Sequence, residues 1–271
     1  MKTLSKSTIL IAGCLLALAA CSRNDQEDLV RPVFEPQEII DLGALVTEDL
    51  PERVWGKALL GALGFDRPNS FDVINWEFEM EGGSVSGSNA YYTLFNHGGP
   101  HVDAPNHMSL GGGLDTYPIE AFTGPLKVFD VRSFPTGRSI PAEVFNESVR
   151  PGDVVLIYTG YTPPQTDDAF PETITLTRTA AEYLASIPVR AFGTDAFSVA
   201  SLQDTNPIDA ETETARAVPI HHSFLSRGIP VYEQLFNVDR LLDKGNMYFV
   251  GVPLNIREGD GMIVRPVVFV Y

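Results

Sequence analysis

Hydrophobic residues along this chain fall into short runs divided by glycine, proline and acidic residues, and few of the runs keep a helical period. Glu38-Ile39-Ile40-Asp41-Leu42 predicts a first strand. Residues 50–63 are less regular and predict helix after Pro51. Residues 72–80 alternate in part through Val73, Ile74, Trp76 and Phe78, which predicts a strand broken at Glu81-Gly82-Gly83-Ser84. Residues 90–95 are aromatic and β-favouring. The apolar runs at 126–131 and 153–158 are of the buried-strand type. Thr177 or Thr179 predicts the cap of a helix reaching about Ser186, with Thr179 and Glu182 as a capping-box pair. Residues 189–193 predict a strand leading to Thr194-Asp195, and a helix is predicted around 223–226, ending at Gly228. Strands are predicted again at 229–232, 248–254 and 262–271.

Many short strands, few helices and 20 prolines predict an α/β protein, a single mixed-sheet domain with long loops. The strand–helix alternation is too irregular for a doubly wound nucleotide fold, and no glycine-rich phosphate fingerprint follows a strand, so nucleotide cofactors are not expected. There is no internal repeat. A body of about 235 residues is enough for one substantial core.

The first residues read differently. Lys2 and Lys6 precede an apolar run over 9–18, followed by Ala19-Ala20-Cys21. A basic start, a short greasy centre and small residues describe a secretory signal rather than a membrane span. Leu18-Ala19-Ala20-Cys21 resembles a bacterial lipobox, which implies a lipid on Cys21. The expected organisation is a signal peptide over 1–20, a polar, acidic tether over 21–37 and one domain over 38–271. The expected location is extracytoplasmic and lipid-anchored, at the outer membrane, its periplasmic face or the cell surface, with membrane contact only through Cys21.

Both cysteines, Cys14 and Cys21, lie in the leader, so the domain has no thiol for a disulfide or a metal. Loss of residues 1–20 removes two lysines and no acids, taking the net charge from −16 to −18. That field repels nucleic acid and anionic headgroups, and neither is an expected partner.

Histidine is spent in two places only. Asn96-His97-Gly98-Gly99-Pro100-His101-Val102-Asp103-Ala104-Pro105-Asn106-His107 holds three of the five, and His221-His222 holds the rest, with Glu233 downstream. Imidazole and carboxylate are the usual donors for zinc and similar ions. Gly98-Gly99-Pro100 does not continue a helix, so the segment predicts a tight loop that folds His97 and His101 together. His101 and Asp103 share a side if the chain is extended there. The set suggests a two-metal centre, or one metal with spare acid/base groups, and hydrolytic chemistry. Trp55, Trp76, Tyr91, Tyr92 and Phe95 are candidates for an apolar pocket, Asp195 for orienting a histidine or for a turn, and 111–113 for a hinge or an ordinary loop.

These residues resemble a family of cyclase-type metal hydrolases that includes bacterial kynurenine formamidase and isatin hydrolase. Its motif, His-x-Gly-Thr-His-x-Asp-x-Pro-x-His, matches 97–107 except that Pro100 stands at the threonine. Gly152-Asp153-Val154-Val155, Thr159-Gly160, Gly193-Thr194-Asp195-Ala196, Ser198, the stretch from His221 to Glu233, and Pro253-Leu254 through Gly259 and Gly261 are also similar. The resemblance implies a swivelling β/β/α fold and a homodimer or larger homo-oligomer. It implies two divalent ions, zinc or manganese, with His97 and His101 on the first, His221 on the second, and Asp103 and Glu233 bridging. His107 would be the unligated acid/base, and His222 would lie outside the ligand set. The activity implied is hydrolysis of a C–N bond in a small-molecule amide, formamide or lactam. The alternatives are a dehydratase or an ester/lactone hydrolase on the same site, or a metal-binding lipoprotein without catalysis. Met108 and Ala200 depart from the family's usual residues, which points to a substrate other than N-formylkynurenine.

Overall fold

The computed structural model describes residues 35–135, 139–145, 148–200 and 217–271. The expected signal peptide, the lipid-bearing Cys21 and the tether as far as residue 34 lie outside the described residues. Pro36–Tyr271 forms one compact unit. Among the described residues no helix is long and apolar enough to cross a membrane.

Strand β1 (Glu38–Asp41) leads to two short helices, α1 (Leu50–Trp55) and α2 (Lys57–Leu63). The helix expected over 50–63 is cut at Gly56, whose φ of +80° ends one helix and starts the other. Next come β2 (Ser70–Met80) and β3 (Gly83–Thr93), an antiparallel hairpin in register along its whole length. Residues 83–89 are rich in serine and glycine and carry no strand pattern of their own. They are strand because the Glu81-Gly82 turn, with Gly82 at φ +101°, lays them against β2.

The chain continues through β4 (His101–Asp103), β5 (Thr123–Asp130), β6 (Ser139–Ile140), β7 (Val154–Tyr158) and β8 (Thr175–Leu176) to α3 (Arg178–Ser186). Of the two candidate caps for α3, Thr177 is the one, its hydroxyl accepting from Ala180 N at 3.0 Å. Glu182 is not half of a capping box; its carboxylate pairs with Arg178 one turn earlier, at 2.8 Å. Then follow β9 (Ala191–Thr194), α4 (Ala217–Leu225), β10 (Val231–Glu233), β11 (Met247–Val250), β12 (Gly261–Ile263) and β13 (Val267–Val270). Helix α4 starts well before residue 223 and so takes in both His221 and His222. The single strand expected over 262–271 is two strands with different partners, separated at Pro266, which has no N–H for a ladder.

Among the described residues, nine strands form one sheet in the order β1-β13-β11-β5-β7-β9-β10-β4-β12. The central β5, β7, β9 and β10 run parallel, and both flanks are antiparallel. This is the mixed-sheet α/β architecture that the strand pattern predicts. Strand β7 shows why its sequence is apolar throughout. Val155 and Ile157 face a core shared with α3 and α4, while Val154 and Leu156 face a second core. That second core draws Ile40 and Val268 from one end of the sheet and Val102 from the other, so the sheet curls around it.

Candidate metal centre

Strand pairing assembles the heart of the site. β4 lies antiparallel to β10, with His101 opposite Glu233 and Asp103 opposite Val231. Side chains two apart on a strand share a face, so His101 and Asp103 point together while Val102 enters the second core. Glu233, the cross-strand neighbour of His101, joins them. On the other side of β4, Gly261 of β12 stands opposite Asp103. A Cβ there would lie 2.6 Å from His97 Cε1, so the missing side chain makes the room that the His97 ring occupies.

Three other pieces deliver the remaining histidines. The 98–100 turn is buried, with Gly99 at φ +155°, and brings His97 over β4. The carbonyl of His97 accepts from Trp55 Nε1 at 2.8 Å and from Gln234 Nε2 at 3.0 Å. Pro105 opens a 3₁₀ helix, Pro105–Met108, that carries His107. Helix α4 supplies His221 on its buried side and leaves His222 exposed. The proline at position 100 does not leave the turn loose, because its carbonyl accepts from Val264 N at 2.8 Å.

The two carboxylates divide their oxygens between the histidines. Asp103 Oδ1 lies 2.9 Å from His97 Nδ1 and 3.2 Å from His101 Nε2, while Oδ2 lies 3.7 Å from His221 Nε2. Glu233 Oε2 is 3.5 Å from His101 Nε2, and Oε1 is 3.1 Å from His221 Nε2. Ligand atoms of His101, Asp103 and Glu233 lie within 4.8 Å of one another, and so do those of His97, Asp103 and His107. The five residues expected as ligands therefore meet, and His107, expected as an unligated base, stands among them.

The donor set fits a divalent cation. His101 Nδ1 is 2.8 Å from Gly99 O, and a carbonyl only accepts, so the proton sits on Nδ1. In the neutral ring Nε2 then turns a lone pair toward two carboxylates, a repulsive arrangement unless a positive charge lies between them. His97 Nδ1, His101 Nε2 and both Asp103 oxygens are buried with no well-aligned hydrogen-bond partner among the described residues. The short His97–Asp103 approach is a convergence of donor atoms rather than a well-directed hydrogen bond. Buried polar atoms left this way are costly, and four of them in one cluster of imidazoles and carboxylates suit a bound cation.

Without a cation, the charges compensate one another. Burial disfavours a charged His97, but Asp103 and Asp260 outweigh it and push the ring up to about 10. Burial likewise opposes ionisation of Asp103, yet the surrounding His101 and His107 hold it well below the usual carboxylate range. His107 moves the other way: its burial, reinforced by His97 and His221, outweighs the pull of Asp103 and Glu233 and lowers it. The ring is therefore neutral at pH 7.

Asp260 is the residue that sequence reasoning missed. Its Oδ2 lies 3.0 Å from His97 Nε2, and its Oδ1 accepts from Asn96 Nδ2 at 2.9 Å. The only hint was its place between Gly259 and Gly261. Among the pocket candidates, Trp55 and Phe95 pack near the site, with Trp55 also against Phe197. Trp76, Tyr91 and Tyr92 lie instead on the β2–β3 hairpin. Asp195 is a turn-former, with Oδ1 accepting from Thr159 N and Oγ1 and Oδ2 from Tyr161 N. Gly113 packs closely on Glu258, where a Cβ would lie 2.4 Å from its Cα.

A family model described as "Putative cyclase" matches residues 31–201, more than half of the chain. The chain belongs to the cyclase family. It is a hydrolase of that family, and among its relatives is the kynurenine formamidase of Salinibacter ruber, 32% identical over 179 residues, spanning 64% of this chain and 76% of that protein. The kynurenine formamidase of Bacillus cereus is 29% identical over 206 residues, spanning 75% and 88%. Two solved structures share the fold. Isatin hydrolase A from Labrenzia aggregata, bound to benzyl benzoate, aligns with a TM-score of 0.64 at 22% identity over 86% of this chain and 93% of that one. An isatin hydrolase bound to the product analogue thioisatinate aligns at 0.67 and 20% identity, over 86% and 92%.

Proposed function

We propose that this cyclase-family hydrolase cleaves the C–N bond of a small amide, formamide or lactam, using two divalent ions, zinc or manganese, and one histidine base. One observation carries the reading: Asp103 and Glu233 each turn one oxygen toward His221 and the other toward His97 or His101. Carboxylates placed between two sets of histidines suit a pair of ions, with His97 and His101 on one side, His221 on the other, and Asp103 and Glu233 shared. Bound ions would activate a water and polarise the substrate carbonyl.

The chain's own residues would do the rest. His107, neutral because it is buried, accepts a proton from the attacking water as the C–O bond forms. It returns that proton to the nitrogen as the C–N bond breaks, which restores the ring and leaves an acid and an amine, both on one molecule when the substrate is a lactam. Trp55 and Phe95 offer an apolar wall beside His97 for the substrate's body. The named relatives, kynurenine formamidase and isatin hydrolase, support a carbonyl–nitrogen target.

The reading is tested by metal content per chain and by turnover on a panel of formamides, amides and lactams. Two equivalents of zinc or manganese with C–N cleavage support it, and a metal-free chain after metal addition sinks it. A second reading has a specific motive, since His107 also stands within ligand reach beside His97 and Asp103. If His107 is a ligand, His107→Ala loses metal as well as turnover. We also propose that Cys21 carries lipid and anchors the enzyme outside the cytoplasm. Radiolabelled palmitate incorporated by the intact chain and lost in Cys21→Ala supports this, and no incorporation overturns it.

A further inference from the structure

Beside the metal centre lies an open cleft of about 630 Å³, a size that takes a small ligand. Three parallel strands end at it. Tyr158 closes β7, Asp195 follows β9 and Gln234 follows β10, and all three residues line the cleft. The carboxyl ends of parallel strands are where α/β sheets commonly bind ligands. None of the six residues of the metal centre lines this cleft, and Gln234 stands between the two places. Gln234 is 1% exposed, and its Nε2 donates to His97 O at 3.0 Å and to Phe197 O at 3.2 Å. Two carbonyl acceptors fix which end of the amide carries the nitrogen. The other end, Oε1, is buried with no partner among the described residues. An acceptor in that state costs free energy that a donor arriving from the cleft would recover.

We infer that this cleft binds a small organic ammonium ion with an aromatic or apolar body, at a site separate from the metal centre. Gln234 Oε1 calls for an N–H donor, and charge selects a cationic one. Glu52, Asp195 and Asp239 line the cleft against a single base, Arg53. Asp195 is the most enclosed of the three acids. Its Oδ1 accepts from Thr159 N at 2.7 Å and Thr159 Oγ1 at 2.8 Å, and its Oδ2 accepts from Tyr161 N at 3.1 Å. Burial outweighs those bonds and pushes the carboxyl above its ordinary value, a penalty that a neighbouring positive charge would offset. Arg132 stacks on the Tyr158 ring, but its charge is taken up by Asp130 at 2.7 Å. Tyr158, Tyr161 and Phe236 give the cleft aromatic surface, which suits both the body of such a ligand and its charge. The inference does not rest on the reaction proposed for the metal centre.

The test is calorimetric titration of the intact, metal-loaded chain with benzylammonium at pH 7 and physiological salt. A non-ionic detergent is present, which the apolar residues 9–18 require. About one equivalent should bind. Benzyl alcohol lacks the charge and benzyltrimethylammonium lacks the N–H, and each should bind about tenfold more weakly or worse. Asp239→Asn removes a charge at the rim and should weaken benzylammonium about threefold. Asp243→Asn makes the same change at an exposed acid outside the cleft and should leave binding as it is. Gln234→Leu should erase the preference for benzylammonium over the quaternary ion, with circular dichroism as the control for folding. No binding at millimolar benzylammonium overturns the inference, and so does equal affinity for benzyl alcohol. An Asp239→Asn protein that binds like wild type, or a folded Gln234→Leu protein that keeps the preference, also overturns it. Binding should survive removal of the metal by chelator; binding lost with the metal would place the amine at the metal centre and sink the separate site.

Discussion

Nε2 of His97 lies 3.0 Å from Oδ2 of Asp260, although 163 positions separate the two residues in the chain. Asn96, the neighbour of His97, donates to the other oxygen of the same carboxylate at 2.9 Å. The ring is thus gripped at one nitrogen while the other, Nδ1, faces Asp103. A carboxylate on the far nitrogen of a metal-binding histidine fixes the ring's orientation and tautomer and makes it a better donor.

Asp260→Asn should therefore lower metal affinity by about 10–100-fold while leaving the fold intact. Competition against a chromophoric chelator measures it, with circular dichroism as the control. Unchanged affinity would reduce Asp260 to a surface acid.

His107→Ala should keep its metal and lose turnover by about 10²–10⁴-fold, the range for a general acid–base group. Elemental analysis and a single amide substrate suffice. Metal loss in this variant would move His107 into the ligand set.

Metal binding should strengthen as pH rises. In the metal-free protein His97 stands at about 10 against an ordinary 6.5, so at neutral pH a cation must displace its proton. Affinity should then rise by up to about tenfold per pH unit for each proton displaced. The same shift has a consequence for stability. Because the folded-state value is raised, the charged ring contributes fully below 6.5, and the contribution fades as pH climbs through about 10. Calorimetry in two buffers of different ionisation heat counts the protons released, and none released would contradict the assignment.

Gly261→Ala should damage the site selectively. Its methyl would meet His97 Cε1 at 2.6 Å and Val102 O at 3.0 Å, so the His97 ring must leave its place. The expected result is weak metal binding in a folded protein. Normal affinity would mean that the ring has another place to sit.

Thr177→Ala removes the side-chain cap of α3 and should cost about 1 kcal/mol of stability by denaturant unfolding. Glu182→Ala should cost less, about 0.3–0.5 kcal/mol, because its partner Arg178 lies one turn away on an exposed helix surface. The reverse order would restore the capping box to Glu182.

Much of this protein is legible in its sequence because the deciding interactions are local. Glycine and proline forbid helix through 98–100, so His97 and His101 must meet across a turn. The apolar run at 153–158 is buried on both faces, as its unbroken hydrophobic pattern predicts of a central strand, whereas the run at 126–131 keeps Lys127 and Asp130 exposed. Histidine confined to two short stretches, with Asp103 inside one of them, announces a cation site before any fold is known.

Other features depend on pairing between distant segments. Residues 83–89 have no strand pattern and are strand only because β2 lies beside them. Thr177 and Thr179 are equivalent candidates for a cap until the helix start picks the one whose hydroxyl reaches Ala180 N. Asp260 is one acid among 35 Asp and Glu residues until β12 pairs with β4 and carries it to His97. The chain by itself determined the kinds of donor, the strand-rich class and the places where helix could not form, since these rest on each residue's own chemistry and its near neighbours. Tertiary structure alone decided which carboxylate oxygen faces which ring and which acid braces His97. Those are distances between residues far apart in sequence, and the fold sets them.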